Sequence, residues 1–119
     1  MKCPLVPISI GELLDKITIL QIKSEYTNNQ YVHKELQDLS KIAINLGVYE
    51  SKYLDDLLKV NRKLWDIEDK LRECERNFTF DDEFIRLARQ VYTTNDKRSR
   101  IKKEINEETN SEYSEVKLY

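Results

Sequence analysis

Apolar residues recur at helical spacing almost from the start of this chain. Ile10, Leu13, Leu14, Ile17 and Leu20 fall on one face of a helix, and Ile19, Ile22 and Tyr26 on another. A helix apolar on two sides is expected to lie between neighbours. Ser9 and Glu12 have the spacing of a capping box, Ile8 and Leu13 that of a hydrophobic staple, and Pro7 keeps the chain before them extended. The first helix is therefore read as residues 10–26. Thr27-Asn28-Asn29 is a turn in which either Asn can cap a second helix over 30–46. That helix has a single apolar stripe (Val32, Leu36, Leu39, Ala43, Leu46), and Gly47 supplies a left-handed stop.

The third pattern is the most regular. Tyr53, Leu57, Val60, Leu64, Ile67, Leu71 and Cys74 alternate by four and three residues, a coiled-coil seam on a helix over 51–76. Phe78-Thr79-Phe80 ends it, and Asp81 or Asp82 caps a fourth helix whose inner face carries Phe84, Leu87, Ala88 and Val91. Thr93-Thr94-Asn95-Asp96 is poor helix sequence, but Ile101 and Ile105 continue the stripe, which favours one helix over 82–108. The prediction is all-α: an antiparallel four-helix bundle, one domain over 1–119, with a short hairpin (helices 1–2) and a long one (helices 3–4). At 1.5 Å per residue the hairpins span about 25 and about 40 Å. The overhang predicts a partner, and a second copy is the simplest, so a homodimer is expected. Residues 111–119 carry no clear pattern.

Composition narrows the classes. Charged residues make up 35% of the chain and apolar ones 39%, with only two Gly and two Pro, which excludes a β-sandwich or a disordered tail. A net charge of −2 excludes a general nucleic-acid binder and leaves room only for a local basic patch. No apolar run reaches the length of a membrane span, and Met1-Lys2-Cys3-Pro4 leads into no signal-like segment, so the expected location is cytoplasmic with no membrane partner. Cys3 and Cys74 have no metal-ligand spacing, the single His33 falls on an outer face, and Gly11 and Gly47 form no phosphate loop. Nothing here implies a cofactor or a metal.

Candidate chemistry lies where polar residues interrupt apolar arcs. Asn61 and Glu68 fall inside the arc of helix 3, with Arg72 at its edge, and Asn95, Arg98 and Lys102 interrupt that of helix 4. Pairing the two helices about Thr79 sets Asn61 beside Asn95–Arg98, and Glu68 beside Arg89–Tyr92. Buried charge must be paired, wet or ligand-facing. Two readings stay open: an ion-pair network that fixes helix register, or a pocket of Asn61, Glu68, Arg89, Tyr92, Asn95, Arg98 and Lys102 that receives an anionic metabolite or nucleotide. Glu12 and Asp15, with Glu35 and Asp38, form E-x-x-D pairs similar to those holding Mg²⁺ in all-helical nucleotide pyrophosphohydrolases, but Glu12 is already accounted for by its cap.

Ile8–Leu20, Phe84–Tyr92, Asn95-Asp96-Lys97-Arg98, Ile101–Asn106, Leu64–Asp69 and Glu115–Tyr119 together are distinctive. On these segments the chain resembles a family of short helical proteins of unknown function from bacteria and tailed phages. The resemblance implies no activity. It implies that the first helix, the Trp-containing helix, the Asn-Asp-x-Arg segment and the tail form one design, with the tail docked. The leading expectation is a non-catalytic binding or interaction protein with a small anionic ligand or a host protein as partner. One alternative is a metal-free helical enzyme resembling chorismate mutases, working by orientation and electrostatics, and another is a Mg²⁺-dependent hydrolase. A pure adaptor would instead show an exposed aromatic patch, for instance around Tyr113 and Tyr119.

Overall fold

The computed structural model describes residues 1–119, whose regular elements are four helices: α1 (Ile10–Tyr26), α2 (Gln30–Leu46), α3 (Ser51–Arg76) and α4 (Asp82–Glu108). The caps are local and chemical. Side-chain oxygens of Ser9, Asn29 and Asp81 accept from the N–H groups of Glu12, Tyr31 and Phe84, at 3.1, 2.8 and 3.2 Å. The capping box of α1 is only half built, because the Glu12 carboxylate leaves its own helix end for Lys102. Helix α4 is unbroken through Thr93–Asp96. There Thr94 is buried, and the Thr93 hydroxyl turns back onto the carbonyls of Arg89 and Gln90.

Three helices end in the same way. Gly47, Phe78 and Asn110 adopt left-handed φ angles of 75°, 51° and 52°. The next N–H in each case reaches back to close the last turn: Val48 to Ala43 (3.0 Å), Thr79 to Cys74 (2.9 Å) and Ser111 to Asn106 (2.9 Å). Glycine and asparagine suit that conformation. Phenylalanine does not, at a cost of about 1–2 kcal/mol.

The molecule is an all-α four-helix bundle measuring 47 × 34 × 28 Å. As its two apolar faces require, α1 is central and packs against α2, α3 and α4, whereas α2 approaches α1 alone. The main core joins Leu13, Leu14 and Ile17 of α1 to Ala43 of α2, Leu54 and Leu57 of α3, and Ile105 of α4. Leu14, Ile17 and Leu57 have no exposure, and each such side chain contributes roughly 1.5–3 kcal/mol of burial. Leu46 ends its stripe exposed rather than buried, since α2 leans on only one helix.

Along α3 the seam fades with distance. Tyr53, Leu57, Val60 and Ile67 are buried, Leu64 between the last two is half-buried, and so are Leu71 and Cys74 at the far end. The end of α1 explains this. Its last residue, Tyr26, stacks on Trp65 with ring centroids 5.2 Å apart, and Glu25 pairs with Arg62. Beyond that level the inner face of the α3–α4 hairpin has no third helix over it.

The tail docks. Ser111 accepts the Ile10 N–H at 3.1 Å, Ser99 donates to Glu115 at 3.2 Å, and Lys117 pairs with Asp96 at 3.4 Å. No helix is long and apolar enough to cross a membrane.

Candidate functional site

The polar seam is organised by α1, not by α3 and α4 facing each other. Gly11, Asp15 and Thr18 succeed one another at helical spacing between the two apolar faces of α1, with Ile22 of the second face next in line, and all four are buried. Asp15 has no exposure. Its Oδ1 accepts from Asn61 Nδ2 and from Arg98 Nε, each at 2.9 Å, and its Oδ2 accepts from Arg98 Nη2. The amide of Asn61 also donates to the Thr18 hydroxyl at 2.9 Å, which itself donates to the Asp15 carbonyl at 2.8 Å. A two-pronged guanidinium on a carboxylate is the strongest ion-pair geometry that side chains offer. Hydrogen bonding to Asp15 holds the Arg98 guanidinium above its ordinary pKa, against the opposing effect of burial.

One turn on, Lys102 is 7% exposed, and its Nζ sits between Glu12 Oε2 (2.7 Å) and Glu115 Oε2 (3.4 Å). The next turn brings the closest helix approach. The Gly11 N–H donates to Asn106 Oδ1 at 2.7 Å, and a Cβ at Gly11 would stand 2.7 Å from the Lys102 carbonyl oxygen. Only glycine lets the backbones meet there. The seam thus ties α1 to α3, α4 and the tail at once. Its two cations, Arg98 and Lys102, are held by three carboxylates of the same chain.

Residues 4–119 match a family of unknown function (DUF6165). The chain belongs to that family. No curated protein and no solved structure matches it. The span matched by DUF6165 includes every residue of the seam and the docked tail.

The residues expected to form a pocket separate into two groups in this DUF6165 chain. Tyr92, Asn95, Arg98 and Lys102 line an open groove of about 560 Å³ between α4 and the tail, with Glu115 and Lys117 on its far wall. Asn61 lies behind it, joined to Arg98 through Asp15 rather than directly. Glu68 is exposed, not seated in the seam, because it lies one turn past the end of α1. Arg89 is also exposed and points with Tyr92 onto the outer surface of α4. The E-x-x-D carboxylates do not converge. Glu12 and Asp15 are tied to Lys102 and Arg98, Asp38 pairs with Lys34, and no three His, Cys, Asp or Glu side chains come together.

The sequence reading missed Asp15 as the hub, along with Thr18, Asn106 and Glu115. A signal existed for the first two: a polar residue between the two apolar faces of a central helix has nowhere to go but inward. Glu115 had none, since only the fold shows where the tail lies.

Proposed function

We propose that this chain is a non-catalytic interaction protein, that its polar seam is structural, and that it works as a homodimer through the distal half of the α3–α4 hairpin. The observation that carries the reading is the uncovered hairpin end. Phe78 and Phe80 are 82 and 51% exposed, Phe84, Leu71 and Val91 are only half-buried, and Ile85 and Tyr92, at 53 and 57%, carry the apolar surface round to the outside of α4. Phe78 combines two penalties in one residue, an exposed ring and a left-handed backbone, so something other than monomer stability accounts for it. Aromatic side chains presented in this way suit an interface centre.

Charge favours a second copy as the occupant. Residues 70–92 carry five basic and five acidic side chains, a neutral and mixed surface that complements itself rather than a strongly charged partner. Glu68 and Arg72, both exposed and one turn apart on α3, can pair across a two-fold axis. The internal pairing of Arg98 and Lys102 favours a structural seam over an anion pocket there. A host protein, the partner class suggested by a phage or bacterial setting, is the competing occupant.

The test is sedimentation of the wild type and of Phe78→Gly over a concentration series. The thermal midpoint of the variant is measured alongside, which separates lost association of a folded chain from misfolding. A wild-type dimer that weakens in a more heat-stable Phe78→Gly supports the reading. A wild type that stays monomeric at high micromolar concentration rejects self-association and directs attention to a different protein partner.

A further inference from the structure

The opposite flank of the hairpin is polar and predominantly cationic. Between α3 and α4 lies a groove of about 460 Å³ lined by Lys59, Lys63 and Lys70 of α3, Arg86 of α4, and Arg62 at the rim. Its floor is apolar, made by Ile67 and Leu87 at 4% and 2% exposure, and Asp66 is the only carboxylate in its lining. The chain as a whole carries a net charge of −2, so this concentration of cations runs against its average.

The cations differ in how they are held. Arg62 and Arg86 are braced from outside by Glu25 and Glu83. Lys59, Lys63 and Lys70 take part in none of the ion pairs of the molecule. Asp55 and Asp66 stand one turn before Lys59 and Lys70, the favourable order for a helical pair, yet neither pair forms. A solvated helix face gains from such pairs. A face that keeps its ammonium groups free, converging with a guanidinium over a dry floor, has the features of an anion site.

We infer that this groove binds a short chain of linked phosphates, as in a nucleoside triphosphate or inorganic oligophosphate. The volume lies in the range of small-molecule sites. At 1.5 Å per residue, Lys59 to Lys70 spans about 16 Å of helix, too long for one carboxylate or phosphate to bridge and suited to several anionic groups in a row. The lysines supply point charges, and Arg86, whose Nε and Nη2 are held by Glu83, leaves its Nη1 for one of them. Lys70 and Arg86 fall within the hairpin half proposed for the dimer, and Lys59 and Lys63 lie outside it.

Titration calorimetry of the full chain decides it, with inorganic tripolyphosphate and adenosine triphosphate as probes at low and at physiological salt. The variants are Lys63→Ala/Lys70→Ala and, as a control of equal charge change on other helices, Lys23→Ala/Lys41→Ala. The expected result is salt-sensitive binding of tripolyphosphate, weakened about tenfold or more in the groove variant and far less in the control. Equal affinity for the two probes assigns recognition to the phosphate chain alone, and a tighter nucleotide adds a base contact; both support the site. No binding of either probe at low salt overturns it, as does equal loss in both variants.

Discussion

Asp15 is the residue on which the packing of α1 turns, because its carboxylate sits in the core and is acceptable there only while Arg98 and Asn61 donate to it. Arg98→Ala is therefore expected to cost about 3 kcal/mol in urea unfolding. Adding Asp15→Asn to that variant is expected to recover part of the loss, since the stranded charge is gone. A cost below about 1 kcal/mol, or purely additive effects, would instead mean that water replaces the guanidinium. Gly11→Ala tests the neighbouring contact. Alanine favours a helix by about 1 kcal/mol, but its Cβ would stand 2.7 Å from a backbone oxygen, and the expected net loss is about 2 kcal/mol. At this scale the sequence was half legible. Asn61, Arg98 and Lys102 were visible as polar breaks in apolar arcs. Glu68 looked the same on a helical wheel and differs only because no third helix reaches it, a fact of length and docking that no wheel contains.

At the scale of elements, legibility was high for a physical reason: each boundary is set by residues within one turn of it. Ser9, Asn29 and Asp81 start helices by local hydrogen bonds, and Gly47 stops one through its left-handed φ. Phe78 shows where the rule weakens, since nothing in its side chain announces a left-handed cap. Phe78→Gly is expected to raise stability by about 1 kcal/mol, seen as a higher thermal midpoint. An unchanged or lower midpoint would mean that the ring stabilises the monomer through Phe80 and its surroundings. Register between elements was less legible. The α3–α4 hairpin was foreseen, but the seam connects each of its helices to α1 through Asp15 instead of to each other.

For the whole molecule, the tail is the element that closes the structure. Glu115 shares Lys102 with Glu12, and Ser111 satisfies the Ile10 N–H at the open end of α1. Ending the chain after Asn110 is expected to lower the thermal midpoint while leaving helical circular dichroism nearly intact; an unchanged midpoint would show that the tail docks without consequence. Acid is expected to act gradually. Hydrogen bonds from Arg62, Arg76 and Arg86 hold Glu25, Glu73 and Glu83 below their ordinary range, so each contributes stability that is present above its unfolded pKa and lost as pH falls through the folded one. These pairs are exposed, so the decline below about pH 4 is expected to be shallow. Arg98 is shifted upward, and its contribution as the cation is complete at every pH below its unfolded value.

The one-sided attachment of α2 sets the order in which the molecule comes apart. With only α1 beside it, and with Ile42, Ile44 and Leu46 already in water, α2 can swing out while α1, α3 and α4 stay closed around Asp15. In native-state hydrogen exchange its amides form a separate, less protected class, and an early proteolytic cut falls between residues 27 and 50.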